Sequence, residues 1–375
     1  MNQESEQRIR SIDDLDTVVD CDFHLTEKEA DFLPYLPSPY YERLFKRETF
    51  EKDYLEHTDE FKSFYPSPGV FAPYNTGVVE SREVSTIEDI REAKEFLGVD
   101  KPLCTPSKNL YLPGVQNDDF AAALAHAYNG WLVDEIVSSD ENVFGAVVAA
   151  PQKPTAAAEE IDRLSDENGI VATFVPSGGV HPPLGDERYF PIYEASADAG
   201  FPVVFHSASG AIMDSFPFQK HGFNRYLPQH ATAHPMQYMV HTASMITNGV
   251  PVRFPDTHFV FQESGLGWVP YMMRRLNHEY KTEPDDAPLL EKKPSEYFVD
   301  QFKFTTQPIE GEQDPMYVNS ILRLMQAEKT VMFSSDYPHY DFDNSNQLLK
   351  LVRSEFSSQE IRNMYGETAT DIYPF

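Results

Sequence analysis

Eight short apolar segments alternate along this chain with longer segments whose apolar residues recur at helical spacing. The predicted strands are residues 16–22, 102–105, 143–149, 170–175, 202–206, 258–263, 301–305 and 330–335. The predicted helices are residues 86–97, 117–138, 155–168, 187–199, 231–248, 267–281, 314–327 and 344–355. Because strand–helix–strand crossovers are right-handed and join parallel strands, eight such units predict a closed (β/α)8 TIM barrel, an α/β fold. An open doubly wound sheet is the alternative, although no glycine-rich phosphate loop follows the first strand.

A long segment, residues 33–84, separates the first predicted strand from the next helix and exceeds a plain connection. Its tyrosine, phenylalanine and proline residues, as in YLPSPYYERLF and FKSFYPSPGVFAPY, predict an insertion packed over one barrel end as a lid or an interface. The helix after it begins near Ser85 and Glu88, which have the spacing of a capping box. We therefore expect a single domain over residues 1–375 that carries this insertion.

The chain has 60 acidic and 30 basic side chains, a formal net charge of −30, and its acidic residues are spread along the whole sequence. Nucleic acids and anionic membranes would repel such a surface, so we expect neither as a partner. The composition predicts adaptation to concentrated salt, which screens the repulsion between carboxylates; an acidic mesophile protein is the alternative. Two cysteines, no apolar signal region and no apolar run of membrane length predict a cytoplasmic protein.

Ligand-type side chains stand where several predicted strands end. Asp22 and His24 are two residues apart on the first strand, so both point into the barrel mouth, while His206 ends the fifth strand and Asp336 follows the eighth. Singly, such a histidine is more often structural and such an aspartate more often caps a helix. Together they predict a site for Zn²⁺, Mn²⁺ or Fe²⁺, and Glu263 adds a carboxylate at the end of the sixth strand.

Several longer motifs resemble one family of enzymes. They are VVDCDFHLTE, LAHAYNGWLVDE, HPPLGDERYFPIYEAS, GFPVVFHSASG, FPDTHFVFQESGLGWVPYMMRRLN, KPSEYFVDQFKFTT and MFSSDYPH. In this order they resemble the amidohydrolase superfamily, in the branch related to aminocarboxymuconate-semialdehyde decarboxylase. The resemblance implies a barrel with one catalytic divalent ion, most readily zinc, bound by Asp22, His24, His206 and Asp336. It also implies a homo-oligomer, commonly a dimer.

The chain departs from the family at the sixth strand, where the known decarboxylases have a histidine and this chain has Glu263. No lysine follows the fourth strand, so a binuclear site bridged by a carbamylated lysine is not expected. Glu263 and His241 join Asp336 as candidate catalytic residues. The candidates for contacting substrate are His181, His339 and Arg253.

Hydrolysis of a small, carboxylated organic substrate is the first functional prediction, with Asp336 taking a proton from a metal-bound water. Non-oxidative decarboxylation on the same metal site is the alternative. Glu263 in the pocket favours water chemistry, whereas a pocket histidine supplied by His241 would favour decarboxylation. An iron oxygenase with a second metal at Glu263, and a barrel without catalytic function, are further alternatives.

Overall fold

The computed structural model describes residues 8–41, 83–208, 223 and 225–375. Its eight strands are parallel and lie side by side in chain order. They are β1 (Val19–Leu25), β2 (Lys101–Pro106), β3 (Phe144–Val148), β4 (Ile170–Pro176), β5 (Val203–His206), β6 (Phe259–Gln262), β7 (Phe302–Thr305) and β8 (Val331–Met332). Backbone hydrogen bonds from Cys21 to Phe333 (3.0 Å) and from Asp336 to Asp22 (2.9 Å) join β1 to the residues after β8. The predicted (β/α)8 barrel is therefore confirmed.

Helices follow the strands and cover the outside of the barrel. Within the described residues, the α-helices are α1 (Glu29–Phe32), α2 (Ile87–Leu97), α3 (Asp118–Trp131), α4 (Pro154–Leu164), α5 (Phe190–Asp198), α6 (Tyr226–Thr247), α7 (Val250–Arg253), α8 (Val269–Thr282), α9 (Pro294–Gln301), α10 (Pro315–Met325), α11 (Ala327–Thr330), α12 (Ser345–Val352), α13 (Ser358–Arg362) and α14 (Thr368–Ile372). All eight predicted helices have counterparts here. The helix predicted at 231–248 begins five residues earlier, at Tyr226.

Alternation along each strand decides which side chains face the helices and which face the barrel interior. The ring of Phe205 lies 6.4 Å from that of Tyr193 on α5, and the ring of Phe261 lies 5.4 Å from that of Tyr238 on α6. These phenylalanines therefore pack outwards against the helices. His206 and Gln262, the next residue on each strand, point inwards and are fully buried.

The start of α2 differs from the prediction by one residue. Thr86, not Ser85, is the N-cap: its hydroxyl accepts from the Asp89 N–H (3.2 Å), and the Asp89 carboxylate accepts from the Thr86 N–H (2.9 Å). An aspartate at the third helical position completes the box as a glutamate would. Gly98, with φ of +68°, ends the helix in a left-handed conformation that glycine adopts without strain.

The insertion predicted at residues 33–84 lies outside the described residues except at its two ends. Of the insertion, the structure describes residues 33–41, which begin with the 3₁₀ turn Leu33–Tyr35, and residues 83–84. The predicted lid or interface therefore stays a prediction. In the described part of the chain, no helix is both long enough and apolar enough to cross a membrane.

Candidate metal centre

Four buried side chains meet at the carboxyl ends of the strands. They are Asp22 and His24 from β1, His206 from the end of β5, and Asp336 from the loop after β8. One ligand atom from each lies within 4.8 Å of the others. The separations are 3.3 Å for His24 Nε2–Asp22 Oδ1, 3.1 Å for His24 Nε2–Asp336 Oδ1, 3.2 Å for His24 Nε2–His206 Nε2 and 3.5 Å for His206 Nε2–Asp22 Oδ2.

Both imidazole rings are oriented by backbone carbonyls. His24 Nδ1 lies 3.0 Å from the oxygen of Pro106, and His206 Nδ1 lies 2.6 Å from the oxygen of Ser207. A carbonyl only accepts, so Nδ1 carries the proton in each ring and Nε2 presents its lone pair to the centre. This is how metal-binding histidines are held in proteins.

The carboxylates also leave atoms free for a cation. Thr105 donates its hydroxyl proton to Asp22 Oδ1 (3.2 Å), and His339 Nδ1 lies 2.7 Å from Asp336 Oδ1. The other oxygen of each aspartate, Oδ2, is buried and has no hydrogen-bond partner among the described residues. Buried carboxylate oxygens without partners are destabilising unless a cation neutralises them, so the donor set fits a divalent ion.

Charge pairing governs the protonation of this cluster. Burial opposes ionisation of Asp22, but His206 and His24 outweigh it and hold the pKa of that carboxyl well below its usual range. Burial likewise opposes protonation of His24, yet Asp22 and Asp336 raise its pKa well above the usual value. The cluster thus favours positive charge at its centre. A bound metal cation would supply that charge in place of a proton on an imidazole.

A further aspartate ties β1 to the loop after β8. Asp20 accepts hydrogen bonds from the Ser335 N–H (2.9 Å), the Ser335 hydroxyl (2.5 Å) and the Asp22 N–H (3.2 Å). Burial raises the pKa of Asp20 to about 7 despite these bonds. By holding Ser335 it fixes the neighbouring Asp336, whose φ of +61° is unusual for a residue other than glycine.

A second cluster lies beside the first and was not predicted as a group. Glu263 follows β6, and its Oε1 atom lies 3.4 Å from His230 Nε2 and 3.5 Å from His234 Nε2, both on α6. Its other oxygen, Oε2, lies 3.7 Å from His206 Nε2. Sequence reasoning missed the pair because the predicted helix began at residue 231, which left His230 outside the helix that contains His234. Their four-residue spacing, which places both on one helix face, was the available signal.

Burial and charge act in opposite directions in this second cluster. Burial lowers the pKa of His234 to about 4, so its ring is neutral at pH 7. Burial opposes ionisation of Glu263, but the neighbouring imidazoles of His230 and His206 outweigh it and keep its pKa well below the usual range. An ionised carboxylate beside a neutral imidazole is again a pair of metal-ligand types.

The other histidines that the sequence offered as site residues lie in different places in the fold. His339 reaches the centre, with its ring centroid 4.1 Å from that of His24. His181 is exposed in the loop after β4. His241 is buried on α6, where its Nδ1 accepts from the Leu184 N–H (3.2 Å), and burial lowers its pKa to about 4. Among the described residues no hydrogen bond joins His241 to either cluster.

Arg253 is not brought to this end of the barrel. It ends α7, which precedes β6, whereas the clusters lie where the strands finish. Its guanidinium is exposed and stacks on the ring of Phe190 at 5.2 Å. The backbone path before a strand leads to the amino-terminal end of the barrel, so the prediction that Arg253 contacts substrate finds no support in this placement.

A TIM barrel with a ring of metal-ligand side chains at its carboxyl end defines a class of enzymes that includes the amidohydrolases. The family model described as Amidohydrolase matches residues 19–375, so this chain belongs to that family. The sequence resemblance is thereby confirmed.

Relatives with known activities are similar over part or most of the chain. The chain is 27% identical over 226 residues to a 2-keto-4-carboxy-3-hexenedioate hydratase from Sphingobium sp. (strain NBRC 103272 / SYK-6), covering 58% of this chain and 61% of the hydratase. It is 25% identical over 294 residues to a gamma-resorcylate decarboxylase from Rhodococcus jostii (strain RHA1), covering 75% of this chain and 86% of that enzyme.

Solved structures share the fold at lower identity. An amidohydrolase from Mycobacterium avium subsp. paratuberculosis K-10 matches with a TM-score of 0.73 and 19% identity, covering 95% of this chain and 98% of that one. A 5-carboxyvanillate decarboxylase from Novosphingobium aromaticivorans DSM 12444, complexed with manganese, matches with a TM-score of 0.66 and 17% identity, covering 95% of each chain.

Proposed function

We propose that this chain is a metal-dependent decarboxylase that acts on a small carboxylate with a neighbouring hydroxyl group. The observation that carries the proposal is the buried cluster of two carboxylates and two oriented imidazoles, with Asp22 Oδ2 and Asp336 Oδ2 lacking hydrogen-bond partners among the described residues. Glu263 lies beside this cluster and His241 does not, which by the sequence argument favours water chemistry. The similarity to a gamma-resorcylate decarboxylase over 75% of the chain supports decarboxylation over hydrolysis, and we give it the greater weight.

Asp22, His24, His206 and Asp336 would bind the divalent ion. When bound there, such an ion polarises substrate oxygens as a Lewis acid. The mixed oxygen and nitrogen donors suit zinc, manganese or iron, so the ligand set leaves the ion open. The manganese in a decarboxylase of the same fold makes Mn²⁺ the first ion to test beside Zn²⁺.

His339 would exchange a proton with the substrate, and its contacts support this role. Its Nδ1 is held by Asp336 Oδ1 at 2.7 Å, its ring lies beside His24, and its side chain is partly exposed. When both ring nitrogens carry protons, Nδ1–H donates to the carboxylate and Nε2–H would give its proton to the carbon that loses CO₂, which leaves a neutral ring. In this reaction the carbon–carbon bond breaks, CO₂ leaves, and a carbon–hydrogen bond forms.

The test is release of CO₂ from a panel of ortho-hydroxybenzoates and unsaturated hydroxy-dicarboxylates. The protein is loaded with Mn²⁺ or Zn²⁺ in concentrated KCl and compared with Asp336→Asn and His206→Ala. We expect CO₂ from at least one substrate with the wild type and none above background with either variant. Loss of substrate absorbance without CO₂ would instead identify hydration or hydrolysis, and equal CO₂ release by the variants would refute a role for the cluster.

A further inference from the structure

The three side chains of the second cluster surround a common point. His230 and His234 are one helical turn apart on α6, and Glu263 approaches them from the end of β6. One ligand atom from each lies within 4.8 Å of the others. The histidines are separated by four residues, so their rings project from the same face of the helix.

The distances suit ligands of an ion better than a hydrogen-bonded trio. Glu263 Oε1 lies 3.4 Å from His230 Nε2 and 3.5 Å from His234 Nε2, beyond the usual hydrogen-bond range of about 2.7–3.2 Å. Two atoms that each lie about 2.1 Å from a tetrahedral ion are about 3.4 Å apart. His234 Nδ1 is buried and has no hydrogen-bond partner in the part of the chain that the structure describes.

The carboxylate of Glu263 faces both clusters at once. Oε1 points to His230 and His234, while Oε2 lies 3.7 Å from His206 Nε2 in the first cluster. Its backbone has a φ of +47°, rare for a glutamate, and the Glu263 N–H donates to the Thr305 hydroxyl (3.2 Å). The left-handed backbone conformation of Glu263, at the end of β6, thus directs its carboxylate into the space between the two clusters.

From this geometry we infer that the chain binds a second divalent metal ion at His230, His234 and Glu263, with Glu263 bridging it to the ion of the first cluster. The two ions of such bridged sites are about 3.5–4 Å apart, a span that one carboxylate covers. This goes beyond the proposed decarboxylation, because it concerns how many ions the centre binds. It requires an ion in the first cluster but no particular reaction.

The charge of a second ion would change how strongly the centre binds a charged substrate. Asp22, Asp336 and Glu263 place three negative charges around the two clusters. One divalent ion leaves these three carboxylates with a net negative charge, which disfavours a carboxylate substrate, whereas two divalent ions more than neutralise them. A second ion would therefore favour the binding of an anionic substrate beside the two ions.

The test counts Mn²⁺ in the full-length protein, dialysed in concentrated KCl, and records its electron paramagnetic resonance spectrum. The variants are His230→Ala with His234→Ala, and His241→Ala as a matched control, because His241 is a buried histidine of the same helix outside both clusters. We expect two ions per chain and an exchange-coupled spectrum for the wild type and the control. The double variant should bind one ion with an isolated six-line spectrum.

One ion per chain in the wild type at saturating Mn²⁺ would overturn the inference, as would two ions in the double variant. If the double variant loses both ions, His234→Gln decides: one retained ion supports the second site and none overturns it. Two coupled ions without CO₂ release would refute only the decarboxylase proposal. One ion with CO₂ release would refute only the second site.

Discussion

At the scale of single residues, each ligand is specified by what holds its other atoms. Pro106 and Ser207 fix the ring protons of His24 and His206, and Thr105 fixes one oxygen of Asp22. These contacts aim the remaining atoms at one point before any ion arrives. A site that is organised in advance loses little conformational freedom on binding, which favours a defined geometry over adaptability.

A variant of His339 would show whether metal binding and proton exchange depend on different residues. Because His339 contacts Asp336 and is not one of the four proposed metal ligands, His339→Gln should leave the metal content unchanged and reduce kcat for CO₂ release by about 10²–10⁴-fold, the range for a lost general acid. Metal analysis and steady-state kinetics on the same preparation measure both effects. Asp336→Asn is the control that should lose the ion. Wild-type kcat in His339→Gln would show that another group supplies the proton.

At the scale of elements, α3 and α4 are joined through one partly buried carboxylate. Glu160 on α4 lies 2.9 Å from His126 Nδ1, accepts from the Asn129 side chain (3.1 Å) and receives two hydrogen bonds from Arg163. Burial opposes its ionisation, but His126 and Arg163 lower the pKa of Glu160 to about 2. The contact holds two barrel helices together without any part in the chemistry.

Glu160 should make stability depend on pH. Its pKa is lower in the folded state than the ordinary value of about 4.5, so its contribution is present above pH 4.5 and is lost as the pH falls towards 2. Glu160→Gln should reduce the free energy of unfolding by about 1–3 kcal/mol at pH 7, as expected for hydrogen bonds to a charged group. Urea unfolding at constant salt from pH 7 to pH 3 should show the two proteins converging. A difference that stays constant with pH would contradict this origin.

At the scale of the whole molecule, the net charge of −30 sets the conditions in which the barrel is stable. The Debye length is about 10 Å in 0.1 M salt and about 3 Å in 1 M salt, so concentrated salt removes most repulsion between surface carboxylates. Adaptation to salt remains our proposal from composition. The assembly as a homodimer, with residues 33–84 at its interface, is likewise a proposal, and light scattering in concentrated KCl measures it.

We expect the midpoint of thermal unfolding to rise by about 5 °C or more between about 0.1 M and 1 M KCl. The reason is that each kcal/mol of relieved repulsion raises the midpoint by about 1–2 °C in a chain of 375 residues, and many carboxylates are screened together. Circular dichroism melts measure the shift, and sorbitol at equal osmolality is the control that does not screen charge. An equal shift in sorbitol would mean that exclusion of the solute, and not screening, stabilises the fold.

Much of the architecture follows from local pattern. Runs such as VVFH and FVFQ alternate between residues that face helices and residues that face the interior, so periodicity alone located β5 and β6 and placed His206 at a strand end. Asp22 and His24 share a face because they are two residues apart on β1. The shift of the α2 cap from Ser85 to Thr86 shows that a boundary is uncertain wherever two neighbouring residues can both cap.

The sequence by itself determined the barrel and which residues stand at its strand ends, because strand alternation and helical spacing are local properties. Only the tertiary structure decided which side chains meet: it turned Glu263 between two clusters, brought His230 and His234 to it, tied His241 to Leu184 and kept Arg253 at the other end. These outcomes depend on where α6 and α7 lie against the strands. Helix placement is set by packing over the whole barrel, which no short stretch of sequence encodes.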